Sequence, residues 1–117
     1  MNPTLKTFVI AIVLLIAVDS IWLFTVGRFA LTMTAAIQGE PVSFRILPAI
    51  VVYIALAYLV IQSENVQHAA LVGAATYAVY DFTSLALLKK YSPTIAVADT
   101  LWGGVLFAIV KAIMLRI

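Results

Sequence analysis

Residues Leu5 to Val26 read LKTFVIAIVLLIAVDSIWLFTV. Only Lys6 and Asp19 carry charge in this run, and at 1.5 Å per residue a helix of this length crosses the roughly 30 Å hydrocarbon core of a bilayer. Three more apolar stretches of similar reach follow, roughly Phe44 to Ile61, Ala69 to Leu88 and Thr94 to Leu115. The chain has 117 residues, 65% of them hydrophobic and 10% charged, where a soluble domain averages about 45–50% apolar. A domain this small hides only about two-thirds of its surface when it folds in water, so this much apolar side chain calls for lipid as the solvent. The sequence therefore predicts an all-α, integral membrane four-helix bundle, a single four-span, multi-pass domain over residues 1–117.

Gly27 and Arg28 end the first run. The connection Phe29 to Ser43 holds a mildly amphipathic stretch, Phe29 to Ile37, followed by Gly39, Glu40 and Pro41, a turn that stops a helix. It is expected to lie along the membrane surface as an interfacial segment between helices 1 and 2. Ser63 to His68 and Lys89 to Pro93 form short polar turns, which make the last three helices antiparallel neighbours. Lys6 and the run Phe8 to Val18 have the look of a signal peptide, but no small-x-small cleavage pattern precedes Asp19, so this run is expected to stay as the first span. One side of the membrane receives Lys6, Lys111 and Arg116 and the other Arg28, Arg45, Lys89 and Lys90, a balance on which the positive-inside rule selects no orientation.

The formal net charge is +2, and the basic residues are scattered except for Lys89 and Lys90, so no nucleic-acid partner is expected. The absence of cysteine excludes disulfides, thiolate metal sites, iron–sulfur ligation and a cysteine nucleophile. No Ser-His-Asp set, phosphate loop or paired-His spacing is present. The expectation is a protein that is not an enzyme, with no catalytic residues and no metal ligands; the sequence specifies no cofactor.

Three carboxylates interrupt the apolar runs: Asp19, Asp81 and Asp99. Each costs about 2.5–3.5 kcal/mol at the centre of a spanning helix even on a lenient insertion scale. Counting along the helices, with the last one running back, places all three roughly 8–15 Å below the same face, where they can meet. Trp22 follows Asp19 by three residues and Trp102 follows Asp99 by three, which sets an indole N–H beside each carboxylate on its own helix. Tyr77 and Ser84 flank Asp81 in the same way, and Tyr80 and Thr83 adjoin it. The two Asp-x-x-Trp segments lie on helices of opposite direction, which suggests an inverted internal repeat. Gly73, Gly103 and Gly104, with Ala69, Ala70, Ala74 and Ala78, permit the close helix packing that such a cluster needs.

Two readings fit this polar cluster of Asp19, Trp22, Tyr77, Tyr80, Asp81, Thr83, Ser84, Asp99 and Trp102. A carboxyl in low dielectric can carry a proton or anchor a substrate. Equally, Asp bonded to Tyr, Trp, Ser or Thr across helices fixes the register of a bundle. A hard cation would want more oxygens than three carboxylates and no ligand loop provide. Tyr53 and Tyr58 have no polar companion nearby in sequence and read as packing or belt residues, Lys111 and Arg116 as snorkelling cations, and His68 as a solvated turn residue.

The segments Val18-Asp19-Ser20-Ile21-Trp22-Leu23, Tyr80-Asp81-Phe82-Thr83-Ser84-Leu85-Ala86 and Ala98-Asp99-Thr100-Leu101-Trp102-Gly103 resemble, in this order, a family of bacterial membrane proteins catalogued as domain of unknown function 2177. Asp19, Trp22, Tyr80, Asp81, Thr83, Asp99, Trp102 and Gly103 fall on its motif positions. Ser84 stands where the pattern has Asn, and Phe29-Ala30-Leu31 replaces an aromatic-basic stretch after Arg28. The resemblance implies a four-helix membrane protein and brings no activity with it. The functional expectation is proton-linked transport or translocation of a small molecule, in a homo-oligomer or a subunit of a membrane complex within the lipid bilayer. The alternative is a non-catalytic accessory or structural subunit of a larger complex, with the Asp cluster as a lock.

Overall fold

A computed structural model describes residues 4–117. The described residues form five helices: α1 (Leu5–Leu23), α2 (Gly27–Gln38), α3 (Ile46–Gln62), α4 (Val66–Leu87) and α5 (Pro93–Met114). The count of four is corrected to five because the segment expected to run along the surface is itself helical. It begins at Gly27 and takes in Arg28, the two residues expected to close the first run. α1, α4 and α5 are each long and apolar enough to cross a membrane, and α3 is a shorter apolar helix of 17 residues.

The boundaries follow from local chemistry. Thr4, Asn65 and Ser92 cap α1, α4 and α5 by accepting the N–H of Thr7, His68 and Ile95, which satisfies donors that the first turn leaves free. Pro93 opens α5, where its missing N–H costs nothing. α2 ends at Gly39, whose φ of 80° is the left-handed conformation that glycine adopts without strain.

Inward faces repeat at helical spacing. On α1, Ala11, Leu15 and Asp19 are buried at four-residue intervals, while Leu5, Val9, Val13 and Ile16 face out. On α4, Ala69, Gly73 and Asp81 are buried in a row that Tyr77 completes. The core holds Leu56, Ala57, Val60 and Ile61 of α3 and Leu106, Phe107 and Val110 of α5.

α4 and α5 are the most intimate pair. A Cβ on Gly73 would strike the Gly103 carbonyl oxygen and the Phe107 side chain, and one on Gly103 would strike the Tyr77 ring. At the far end of the bundle Lys111 is 2% exposed, with Nζ 3.4 Å from the carbonyl oxygens of Val60 and Ile61. The expectation that it snorkels to the surface is therefore corrected: its ammonium sits on the last carbonyls of α3, where the helix dipole favours a cation.

Candidate functional site

Asp19 on α1 is satisfied from two other helices. Its Oδ2 accepts from the Tyr53 hydroxyl on α3 at 2.6 Å, and its Oδ1 accepts from the Trp102 indole N–H on α5 at 2.9 Å. Tyr53, expected to be a packing or belt residue, thus has a polar partner 34 residues away in sequence. Trp102 was expected to serve Asp99, three residues before it, but serves Asp19 instead. The physical reason lies in the indole stack: Trp22 and Trp102 lie face to face, with centroids 5.2 Å apart and planes 6° from parallel, and so bridge α1 and α5 rather than folding back on their own turns. Trp22 in turn neighbours Asp99. The Trp102 indole thus serves the carboxyl of the other Asp-x-x-Trp segment. Gly27 holds the corner beside them, since a Cβ there would come within 2.9 Å of the Trp22 carbonyl oxygen.

Asp81 on α4 is fully buried. Its Oδ1 accepts from the Tyr91 hydroxyl at 2.7 Å, while Oδ2 is buried without a donor among the described residues. Tyr91, in the turn between α4 and α5, escaped the sequence reading because only tertiary folding brings the ring back ten residues onto α4. Burial and the bond to Asp81 push its phenol well above the usual range, so it stays a protonated donor. Asp81 also neighbours Asp99, and Tyr77 stands among all three carboxyls.

Two cavities reach this cluster. One, of about 170 Å³, lies under α2 and is bounded by Gly27, Ala30, Met33 and Thr34 on that side and by Asp19, Trp22 and Asp99 on the other. The backbone N–H of Ser92 donates to the Met33 sulfur at 3.1 Å and holds α2 against the start of α5. The second, of about 360 Å³, opens sideways between α3 and α4, lined by Val52, Leu56, Thr76, Tyr77, Tyr80 and Asp99. Among the three carboxyls Asp99 alone lines both. Among the described residues no three acidic or histidine side chains converge closely enough to hold a metal ion.

Asp19, Trp22, Tyr77, Tyr80, Asp81, Asp99 and Trp102 are therefore brought together, with Ser84 beside Tyr80. Thr83 is not: it is exposed on the outer face of α4 with Val79, Phe82 and Leu87, because helical spacing turns a residue two positions after the buried Asp81 away from the interior.

Apolar helices wrapped around buried carboxyls define the class, a helical membrane protein with an internal acidic site. Within that class the chain belongs to the family described as predicted membrane protein (DUF2177), whose model matches residues 4–115. No curated protein and no solved structure gives a match.

Proposed function

We propose that α1, α3, α4 and α5 span the bilayer with α2 at the interface, and that the protein moves a small molecule in exchange for a proton held by Asp99 and Asp81. The observation that carries this reading is the division of labour among the carboxyls. Asp19 has both oxygens satisfied and works as a lock between α1, α3 and α5. Asp81 keeps one oxygen without a donor, an arrangement that costs about 1–3 kcal/mol in a buried site. A proton shared with the adjoining Asp99 supplies the missing donor, as two close carboxyls in low dielectric do. Asp99 can exchange that proton because it is open to a cavity on two sides. A shaft through four short helices is narrow, so a homo-oligomer is the working unit. No step in this cycle makes or breaks a bond other than to hydrogen, and the reading is non-enzymatic.

The test is proton flux into liposomes that carry the full chain and a trapped pH-sensitive dye, started by adding small organic cations, anions or neutral solutes to one side. Asp99→Asn is expected to abolish the flux and keep the helical circular dichroism signal, whereas Thr83→Ala, on the outer face, leaves flux as it was. The fully paired state of Asp19 favours the second reading, an accessory or structural subunit. Under that reading Asp99→Asn leaves any flux unchanged and lowers thermal stability in detergent, and this pair of results overturns the transport proposal.

A further inference from the structure

The sideways cleft between α3 and α4 has a composition that selects a ligand. Its walls are apolar, Val52 and Leu56 on α3 against α4, and its inner end carries the Asp99 carboxyl with the rings of Tyr77 and Tyr80. Among the described residues no Lys, Arg or His lines it, and none lines the cavity under α2. Its volume, about 360 Å³, falls in the ~300–1,000 Å³ range of small-molecule sites. Behind Asp99 lies the fully buried Asp81 with its unpartnered Oδ2, so the acidic end lacks a positive partner from the protein itself. A carboxylate framed by aromatic faces attracts a weakly hydrated organic cation through both charge and ring quadrupole. A strongly hydrated metal cation or an anion gains nothing from apolar walls of this kind.

We propose that the α3–α4 cleft binds an organic monocation dissolved in the bilayer, a cationic amphiphile whose charge sits at Asp99 and whose apolar body lies between Val52 and Leu56. This rests on the reading of Asp99 as the exchangeable carboxyl. Balance of charge follows: the cation enters, and the proton shared by Asp81 and Asp99 leaves to water through the cavity under α2, so the charge of the site stays the same. Entry is lateral, because the cleft opens to the side of the bundle, and no aqueous path for the ligand is needed.

Titration calorimetry on the full chain in phosphatidylcholine nanodiscs provides the test, with tetraphenylphosphonium as probe and tetraphenylborate, of the same shape and opposite charge, as control. Saturable binding of the cation and none of the anion is expected, with one proton released per cation, read by repeating the titration in buffers of different ionisation enthalpy. Asp99→Asn is expected to weaken binding by about tenfold or more. Val52→Trp gives an independent reading, because Val52 is 52% exposed on the outer rim and a larger side chain there obstructs the cleft while Asp99 stays intact. Equal affinity for the anion, or wild-type affinity in Val52→Trp, overturns the proposal. Asp99-dependent proton flux without tetraphenylphosphonium binding removes this site and keeps the transport reading. Binding without such flux removes the transport reading and keeps the site.

Discussion

The three carboxyls differ by who donates to them. At Asp19 both donors come from other helices, so the carboxyl is held in place by the fold; at Asp81 the donor is Tyr91, a phenol from a turn. An unperturbed Tyr ionises near pH 10, and burial and the bond to Asp81 raise Tyr91 above that in the folded state. The sign follows. Below pH 10 the phenol is neutral in both the folded and unfolded chain and its contribution is fully present; above pH 10 the unfolded chain loses the proton first, so stability falls as pH rises. Thermal unfolding in detergent between pH 8 and 11 is expected to show a decline that Tyr91→Phe makes shallower. The same variant lowers stability near pH 8 by about 1–3 kcal/mol, because it removes the one hydroxyl that, among the described residues, bonds this fully buried carboxyl. An unchanged alkaline slope in Tyr91→Phe would mean that the ring plays no part in holding Asp81.

Elements were the most legible level. Long apolar runs announced α1, α4 and α5, and turn chemistry at Ser63 to His68 and Lys89 to Pro93 placed the breaks, since hydropathy and capping act locally along the chain. Partnerships between helices were far less so. Spacing of three or four residues finds neighbours on one helix, and by that rule Trp102 belongs to Asp99; nothing in local spacing reports that Tyr53 and Trp102 converge on Asp19 from 34 and 83 residues away. Lys111 misled for the same reason, its carbonyl partners lying on α3. The small residues of α4 and α5 were readable as a packing seam, and the structure grades them. A Cβ on Gly73 meets backbone and ring atoms with no freedom to retreat, while one on Gly104 comes to 3.1 Å from the Ala70 carbonyl oxygen and 3.4 Å from the Ala74 Cβ. Gly73→Ala is expected to lower stability by about 1–3 kcal/mol from overpacking, beyond what the better helix propensity of Ala returns. Gly104→Ala is expected to change it by less than about 1 kcal/mol. Thermal melts of the two variants in one detergent check the order, and a reversed order would show that the α4–α5 seam is held elsewhere.

Across the whole molecule, α2 and the α3–α4 cleft give the acidic site two different approaches. α2 is joined to α1 by a short turn at residues 24–26 and followed by irregular chain from Pro41 to Arg45, and between those ends it is held over the smaller cavity by the Met33–Ser92 contact. Few side chains fix it, and segments with few buried contacts are the ones that open at low free-energy cost. If the proton leaves under α2 while an organic cation arrives from the side, tethering α2 separates the two events. The chain has no cysteine, so Met33→Cys with Ser92→Cys introduces a single addressable pair on the two sides of this contact. Cross-linking that double variant with a short bis-methanethiosulfonate is expected to suppress proton flux in liposomes by about tenfold or more, the scale of a gating motion costing about 1.4 kcal/mol or above, and a reductant restores it. Equilibrium binding of tetraphenylphosphonium in nanodiscs stays within about twofold, because no residue of α2 lines the lateral cleft. Flux that persists with α2 tethered would place the proton path along the cleft as well, and the helix over the smaller cavity would then be a brace rather than a cover.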